Sequence, residues 1–162
     1  MSHYRRLRVR GGTYFFTVNL AERGSTLLVE HIGSLRSAFQ QVKARRPFRV
    51  EAIVILPDHL HCLWTLPPDD TDFATRWAGI KSLFSADIPC RPRLTSLQEK
   101  RRERGIWQRR YWEHVIRGQE DLLAHACYIH NNPLKHGLVT RVEDWPYSSW
   151  HRLPGVTGSF EP

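Results

Sequence analysis

The stretch from residue 48 to 66 constrains the fold most, because two apolar runs flank a turn-forming Pro57-Asp58 pair. Every second residue of the first run is apolar, namely Phe48, Val50, Ala52, Val54 and Leu56. This alternation predicts a strand with those five side chains on one face. Residues 59–66 are then predicted to return as an antiparallel strand after the turn. The chain therefore needs a sheet.

The remaining periodicities predict two more strands and three helices. Residues 13–20 alternate after Gly11-Gly12, and residues 111–117 form a short strand candidate. Apolar residues at helical spacing predict helices over residues 32–45, 73–84 and 119–131, the last stopped by Pro133. The element order predicts an α+β sandwich, an antiparallel sheet with helices packed on one face.

A chain of 162 residues predicts a single domain, residues 1–162, with a basic loop at 88–105 and an irregular tail at 134–162. The net charge of +8 favours a polyanionic partner such as nucleic acid, although a merely soluble basic protein has the same composition. No apolar run approaches the ~20 residues that span a bilayer, so a membrane partner is not expected.

Three cysteines, Cys62, Cys90 and Cys127, are odd in number and form no CxxC pair. That pattern disfavours a disulfide scaffold and favours three packing residues in a reducing cytoplasm. The basic N-terminus lacks the apolar core of a signal peptide.

His59 and His61 are two residues apart on a predicted strand, so both imidazoles project from the same face. Two convergent imidazoles can bind a divalent cation. The pair alone is also compatible with an ordinary polar strand face.

Tyr128 lies off the apolar stripe of the last predicted helix, and Asn132 follows it by four residues. A phenol can attack a phosphodiester and form a covalent intermediate. A packing tyrosine is the alternative, and Asn132 is equally suited to capping the helix before Pro133, which also biases it away from helical geometry. His130 is an alternative metal ligand or a surface histidine.

Two basic segments are candidates for DNA contact. The first is an N-terminal arm, Arg5, Arg6, Arg8 and Arg10. The second mixes aromatic and basic residues, with Trp107, Arg109 and Arg110 suited to stacking on bases and binding phosphates. The alternative is that the tryptophans anchor the core and the arginines are solvated.

Six stretches together resemble the REP-associated tyrosine transposases, relatives of the single-tyrosine HUH insertion-sequence transposases. They cover nearly the whole chain: Tyr4-Arg5-Arg6, GGTYFFTVNL at 11–20, LPDHLHCLW at 56–64, IWQRRYWEH at 106–114, YIHNNPLKHGLV at 128–139 and DWPYSS at 144–149. The segment from Cys90 to Gly105 is longer than the family pattern, and the tail after Trp150 is shorter.

The resemblance implies a ferredoxin-like or RRM-like fold. It also implies His59 and His61 as metal ligands, Asn132 as the third ligand, Tyr128 as the nucleophile, and Lys135 and His136 as further DNA contacts. The expected function is cleavage and rejoining of single-stranded DNA at palindromic repeat hairpins, with Mg²⁺ or Mn²⁺, by a monomer. The alternatives are a non-catalytic hairpin-binding regulator and a small metallohydrolase.

Overall fold

The structure, a computed structural model, describes residues 6–89 and 92–154. Its elements in chain order are β1 Thr13–Asn19, α1 Leu27–Glu30, α2 Ile32–Arg45, β2 Arg49–Ile55, β3 His59–Thr65, α3 Phe73–Asp87, α4 Ser96–Lys100, β4 Trp112–Val115 and α5 Gln119–Lys135. The strands form one antiparallel sheet in the order β2-β3-β1-β4. Two short 3₁₀ turns follow, Val142–Asp144 and Ser149–Arg152.

The predicted α+β fold, an antiparallel sheet with helices packed on one face, is confirmed for α2 and α3, and α5 adds a further helix on the other face. Helices α2 and α3 cover one face of the sheet, where Trp64 of β3 stacks on Trp77 of α3 with ring centres 4.3 Å apart. Helix α5 lies across the opposite face, where Ile129 packs in a smaller cluster with Val54 and Leu56. The sheet is therefore buried from both sides, and α5 covers the half that carries the two histidines.

The first predicted strand of the hairpin does not keep one apolar face. Val50 pairs with Trp64 and Ala52 pairs with Leu63, so Glu51 is an extra residue in the strand. Such a β-bulge reverses the alternation that follows it. The prediction of a single face was wrong for this reason: Phe48 and Val50 face α2 and α3, whereas the apolar residues from Ala52 onward at even positions face α5.

The last helix does not stop before Pro133, which was also a wrong prediction. Helix α5 runs to Lys135 with the proline inside it, and the chain leaves the helix through Gly137, whose φ is +66°. The ring of Pro133 holds φ at a helical value, and the helix continues to Lys135 although Pro133 contributes no backbone donor. Asn132 consequently stays in helical register with Tyr128.

The predicted basic loop contains helix α4, which begins with a capping box between Thr95 and Gln98. The tail after α5 runs along the edge of β2, where the Trp145 indole nitrogen donates to the Ile55 carbonyl and the Tyr147 carbonyl accepts from the Ile55 amide. Within the described residues, no helix combines the length and apolar character needed to cross a bilayer.

Candidate active site

The sheet presents the His59 and His61 side chains on the face that α5 covers. Their neighbours Leu60, Cys62 and Trp64 are buried in the opposite core, as the strand alternation predicts. The two imidazole rings lie 5.1 Å apart and are 5% and 4% exposed. They form a convergent pair on a rigid central strand.

Two hydrogen bonds orient these rings. The Asp58 carboxylate lies 2.6 Å from Nδ1 of His59, and the Thr17 hydroxyl lies 2.8 Å from Nδ1 of His61. A carboxylate only accepts, so His59 carries its proton on Nδ1 and has its lone pair on Nε2. Burial lowers the pKa of His59, and burial lowers that of His61 to about 3, so both rings are neutral.

Tyr128 lies against this pair. Its ring contacts the His61 imidazole edge-on, with ring centres 5.2 Å apart, and it also contacts Phe15 at 5.8 Å. The tyrosine is 38% exposed, so an extended substrate can reach its hydroxyl. The phenol and the two imidazoles therefore share one site.

Helix geometry places Asn132 in the same site. Residues 128, 132 and 136 share one helix face, Tyr128 touches His61, and the His136 ring lies 5.0 Å from that of His59. Asn132 is fully buried and one helical turn from each of these two residues, so its side chain is predicted to lie on the helix face that covers the histidine pair.

Three buried polar atoms of this site have no hydrogen-bond partner among the residues that the structure describes: Nε2 of His61 and both amide atoms of Asn132. Unpaired buried polar groups are costly, and two of these atoms, the imidazole nitrogen and the amide oxygen, are electron-pair donors of the kind that a cation needs. Two imidazole nitrogens and an amide oxygen suit a divalent ion, so the residues present fit one.

His130, the alternative ligand, faces away from this site. Its Nε2 lies 3.0 Å from the Ser149 hydroxyl and its ring packs against Trp150. It therefore holds the tail against α5.

The predicted DNA contacts of the N-terminal arm differ in their surroundings. Arg5 lies outside the described residues. Arg6 donates to the Tyr111 hydroxyl at 2.9 Å and pairs with Glu113 at 3.4 Å, so it also has a structural role. Arg8 and Arg10 are exposed, Arg10 within 3.9 Å of the Asp69 carboxylate.

The residues of the second predicted DNA-binding segment also differ in their surroundings. Trp107 packs against the main core with its ring 5.3 Å from Phe84, whereas Arg109 and Arg110 are exposed. Lys135 and His136 are exposed at the end of α5, beside the histidine pair.

The sequence did not single out Trp112, which is 52% exposed. Together with Phe15, Thr17, Ala124, His125 and Tyr128 it lines an apolar cavity of about 450 Å³. The sequence shows the aromatic run that contains Trp107 and Trp112, but which of the two tryptophans is exposed depends on how the strands pair. Cys127 is also exposed rather than packed, Cys62 is in the core, and Cys90 lies outside the described residues.

Comparison with known proteins gives consistent results. A family described as "Transposase IS200 like" matches residues 10–132. The chain is 47% identical to the REP-associated tyrosine transposase of Escherichia coli, over 94% of this chain and 84% of that one. It is 49% identical to a Haemophilus influenzae relative with the same designation, over 94% and 87% of the two chains.

A solved structure of a REP-associated tyrosine transposase bound to a REP hairpin is similar in fold. It superposes with a TM-score of 0.80 at 47% identity and covers 94% of this chain and 84% of that chain.

Proposed function

Because the chain belongs to the IS200-like transposase family, we propose that it is a metal-dependent endonuclease that cuts and rejoins single-stranded DNA at palindromic repeat hairpins. The observation that carries the proposal is the contact between the Tyr128 ring and His61. In the same site, Nε2 of His61 and the amide oxygen of Asn132 are buried without a hydrogen-bond partner among the described residues. Cleavage of a phosphodiester needs a nucleophile and a group that polarises the phosphate, and the closeness of the Tyr128 ring to His61 supports assigning these two roles to the tyrosine and the histidine pair.

Tyr128 is the proposed nucleophile. Its phenolic oxygen bonds to the scissile phosphorus while the bond from phosphorus to the 3′ oxygen breaks. The phenol proton is released, and the leaving 3′ oxygen takes up a proton to become a free hydroxyl. The 5′ strand end stays on Tyr128 as a phosphotyrosine. The 3′ hydroxyl can attack that linkage in reverse, so rejoining needs no external energy source.

His59, His61 and Asn132 are the proposed ligands of Mg²⁺ or Mn²⁺. When bound, the ion supplies charge neutralisation and polarisation of the scissile phosphate. The imidazole pair favours Mn²⁺ over Mg²⁺ by ligand softness. Asp58 and Thr17 hold the two rings in the required orientation.

The exposed arginines Arg8, Arg10, Arg109 and Arg110 are proposed to bind the phosphate backbone, with Trp112 stacking on a base near Tyr128. A monomer suffices for this site, since the nucleophile and the three ligands come from one chain. The DNA substrate and the free thiols of Cys62 and Cys127 support a cytoplasmic location.

The decisive experiment incubates the protein with a labelled single-stranded hairpin oligonucleotide and Mn²⁺, then looks for a covalent adduct after denaturation. Wild type should form the adduct, and Tyr128→Phe should bind the DNA without forming it. Tyr111→Phe is the matched control and should still react, because that phenol is engaged by Arg6. An adduct with Tyr128→Phe would show the nucleophile assignment wrong. Hairpin binding by wild type without any adduct would indicate a non-catalytic regulator instead.

A further inference from the structure

A second group of metal-ligand side chains lies at the junction of β4 and α5. His114 comes from β4, and Asp121 and His125 come from successive turns of α5. One donor atom from each lies within 4.8 Å of the others. Nε2 of His114 is 2.9 Å from Oδ2 of Asp121, and Nδ1 of His125 is 2.9 Å from Oδ1 of the same carboxylate.

Packing holds these groups in place before any ion arrives. The His114 and His125 rings stack with centres 4.9 Å apart, and the Trp112 ring stacks with His114 at 5.9 Å. The Arg117 amide donates to the Asp121 carboxylate at 2.8 Å. The three side chains are only 22% to 30% exposed, so binding would order few additional side-chain rotamers.

The group is separate from the His59–His61 pair, although His125 and Tyr128 line the same cavity. The Phe15 ring lies between them, 5.6 Å from His61 on one side and 4.7 Å from His125 on the other. The chemistry also differs, because this group has a carboxylate in place of an amide. The Asp121 carboxylate supplies this group with a negative charge in a chain of net charge +8.

The contacts alone are also those of two hydrogen bonds, one from Nε2 of His114 to the Asp121 carboxylate and one from Nδ1 of His125 to the Asp121 backbone carbonyl, each 2.9 Å long. An ion would replace both protons, since a neutral imidazole can move its proton to the other ring nitrogen. Imidazole donors favour Zn²⁺ and related transition ions, whereas Mg²⁺ prefers oxygen ligands throughout. The ligand types therefore select a transition metal.

We propose that His114, Asp121 and His125 form a second divalent-metal site, selective for a transition ion such as Zn²⁺, which ties β4 to the first turns of α5. His125 precedes Tyr128 by three residues, so an ion here fixes the helical turn that carries the phenol. The bound ion stabilises the position of α5, and this structural role does not depend on whether Tyr128 attacks DNA.

The test is a Zn²⁺ titration by calorimetry in a His59→Ala/His61→Ala background, which removes the first histidine pair. This variant should bind one Zn²⁺ per chain, and its melting temperature should rise with Zn²⁺. Adding His114→Gln should abolish both effects. Adding Asp121→Asn should lower the Zn²⁺ affinity at least tenfold. The control is His31→Ala, at a histidine at the start of α2, which should change neither the Zn²⁺ binding nor the rise in melting temperature.

Circular dichroism of each variant without metal shows whether that variant is folded. His114→Gln changes β4 and Asp121→Asn changes α5, so a folding defect in one variant leaves the other to test the site. Absence of Zn²⁺ binding in the folded double variant would overturn the proposal. Zn²⁺ binding that survives both His114→Gln and Asp121→Asn would overturn it as well, by locating the ion elsewhere.

Discussion

The ammonium nitrogen of Lys135 lies 4.9 Å from the centre of the Tyr128 ring, two helical turns further along the same helix. Lys135 is exposed, so its charge remains available to a substrate phosphate and to a phenolate that forms beside it. We expect Lys135→Gln to slow adduct formation about tenfold without abolishing it, because the lost stabilisation is screened by solvent. Single-turnover kinetics on the hairpin oligonucleotide measure the rate.

Lys135→Arg is the matched control for that prediction, and it should retain most of the rate because the positive charge is kept. Equal rates for wild type and Lys135→Gln would show that the lysine has no part in the reaction.

Asn132 gives a prediction in which stability and metal binding change in opposite directions. Asn132→Leu removes a buried amide that has no partner, so the metal-free protein should unfold at the same or a higher temperature. Mn²⁺ binding should weaken at least tenfold because a ligand is lost. Asn132→Asp should lower the melting temperature of the metal-free protein and tighten Mn²⁺ binding, since an unpaired buried carboxylate is destabilising on its own and binds a cation more tightly than an amide does.

Thermal unfolding with and without Mn²⁺, together with calorimetric titration, separates these outcomes. If Mn²⁺ raises the melting temperature of Asn132→Leu as much as that of wild type, Asn132 is not a ligand.

The two tryptophans of the aromatic run should behave differently. Trp112→Ala should lower single-stranded DNA affinity about tenfold, within the range for one stacked base, and leave stability nearly unchanged because the ring is half exposed. Trp107→Ala should instead lower the free energy of unfolding by about 2 kcal/mol, since this ring packs on the core beside Phe84. Fluorescence anisotropy and urea unfolding give the two quantities. A larger affinity loss for a folded Trp107→Ala would reverse the assignment.

The parts of this molecule that the sequence predicts well are those governed by local periodicity. Alternation located β1 and β3 and put His59 and His61 on one face, and the 3.6-residue spacing located α2 and α3. The family motifs predicted that Tyr128 belongs with this histidine pair, and its ring contacts His61.

Non-local pairing accounts for what the sequence did not predict. The bulge at Glu51 depends on how β2 registers against β3, and the survival of α5 past Pro133 depends on packing at its last turn. The Trp112 cavity and the His114–Asp121–His125 group each combine β4 with α5, and the spacing of those residues in the sequence matches no metal-binding motif.

The exposed arginines of the N-terminal arm should act through salt-dependent binding. Arg8→Ala combined with Arg10→Ala should reduce the slope of log affinity against log salt by about one unit per lost phosphate contact. Arg109→Ala with Arg110→Ala is the comparison, because those side chains are equally exposed in the second basic segment. Filter binding over a range of salt concentrations measures both slopes. An unchanged slope for the first pair would mean that this part of the arm does not contact the backbone.

The buried guanidinium of Arg76 makes the fold itself sensitive to acid. Arg76 is 1% exposed and donates to three backbone carbonyls and, at 2.7 Å, to the Asp70 carboxylate. That hydrogen bond lowers the pKa of Asp70 below its ordinary value. A carboxyl with a depressed folded-state pKa contributes stability that is present above its unfolded pKa and is lost as the pH falls through its folded pKa.

Asp70→Asn should therefore lower the free energy of unfolding by about 2 kcal/mol at neutral pH, because the substitution removes the charge opposite a buried cation. The gap between this variant and wild type should narrow below about pH 4, where Asp70 of the unfolded wild-type chain begins to take up a proton while the folded protein still resists it. Asp69→Asn is the neighbouring control and should unfold like wild type, since that carboxylate is 95% exposed. Urea unfolding from pH 7 down to about pH 3 measures the three curves. A constant difference between Asp70→Asn and wild type across this range would show that the ionised carboxylate is not what stabilises Arg76.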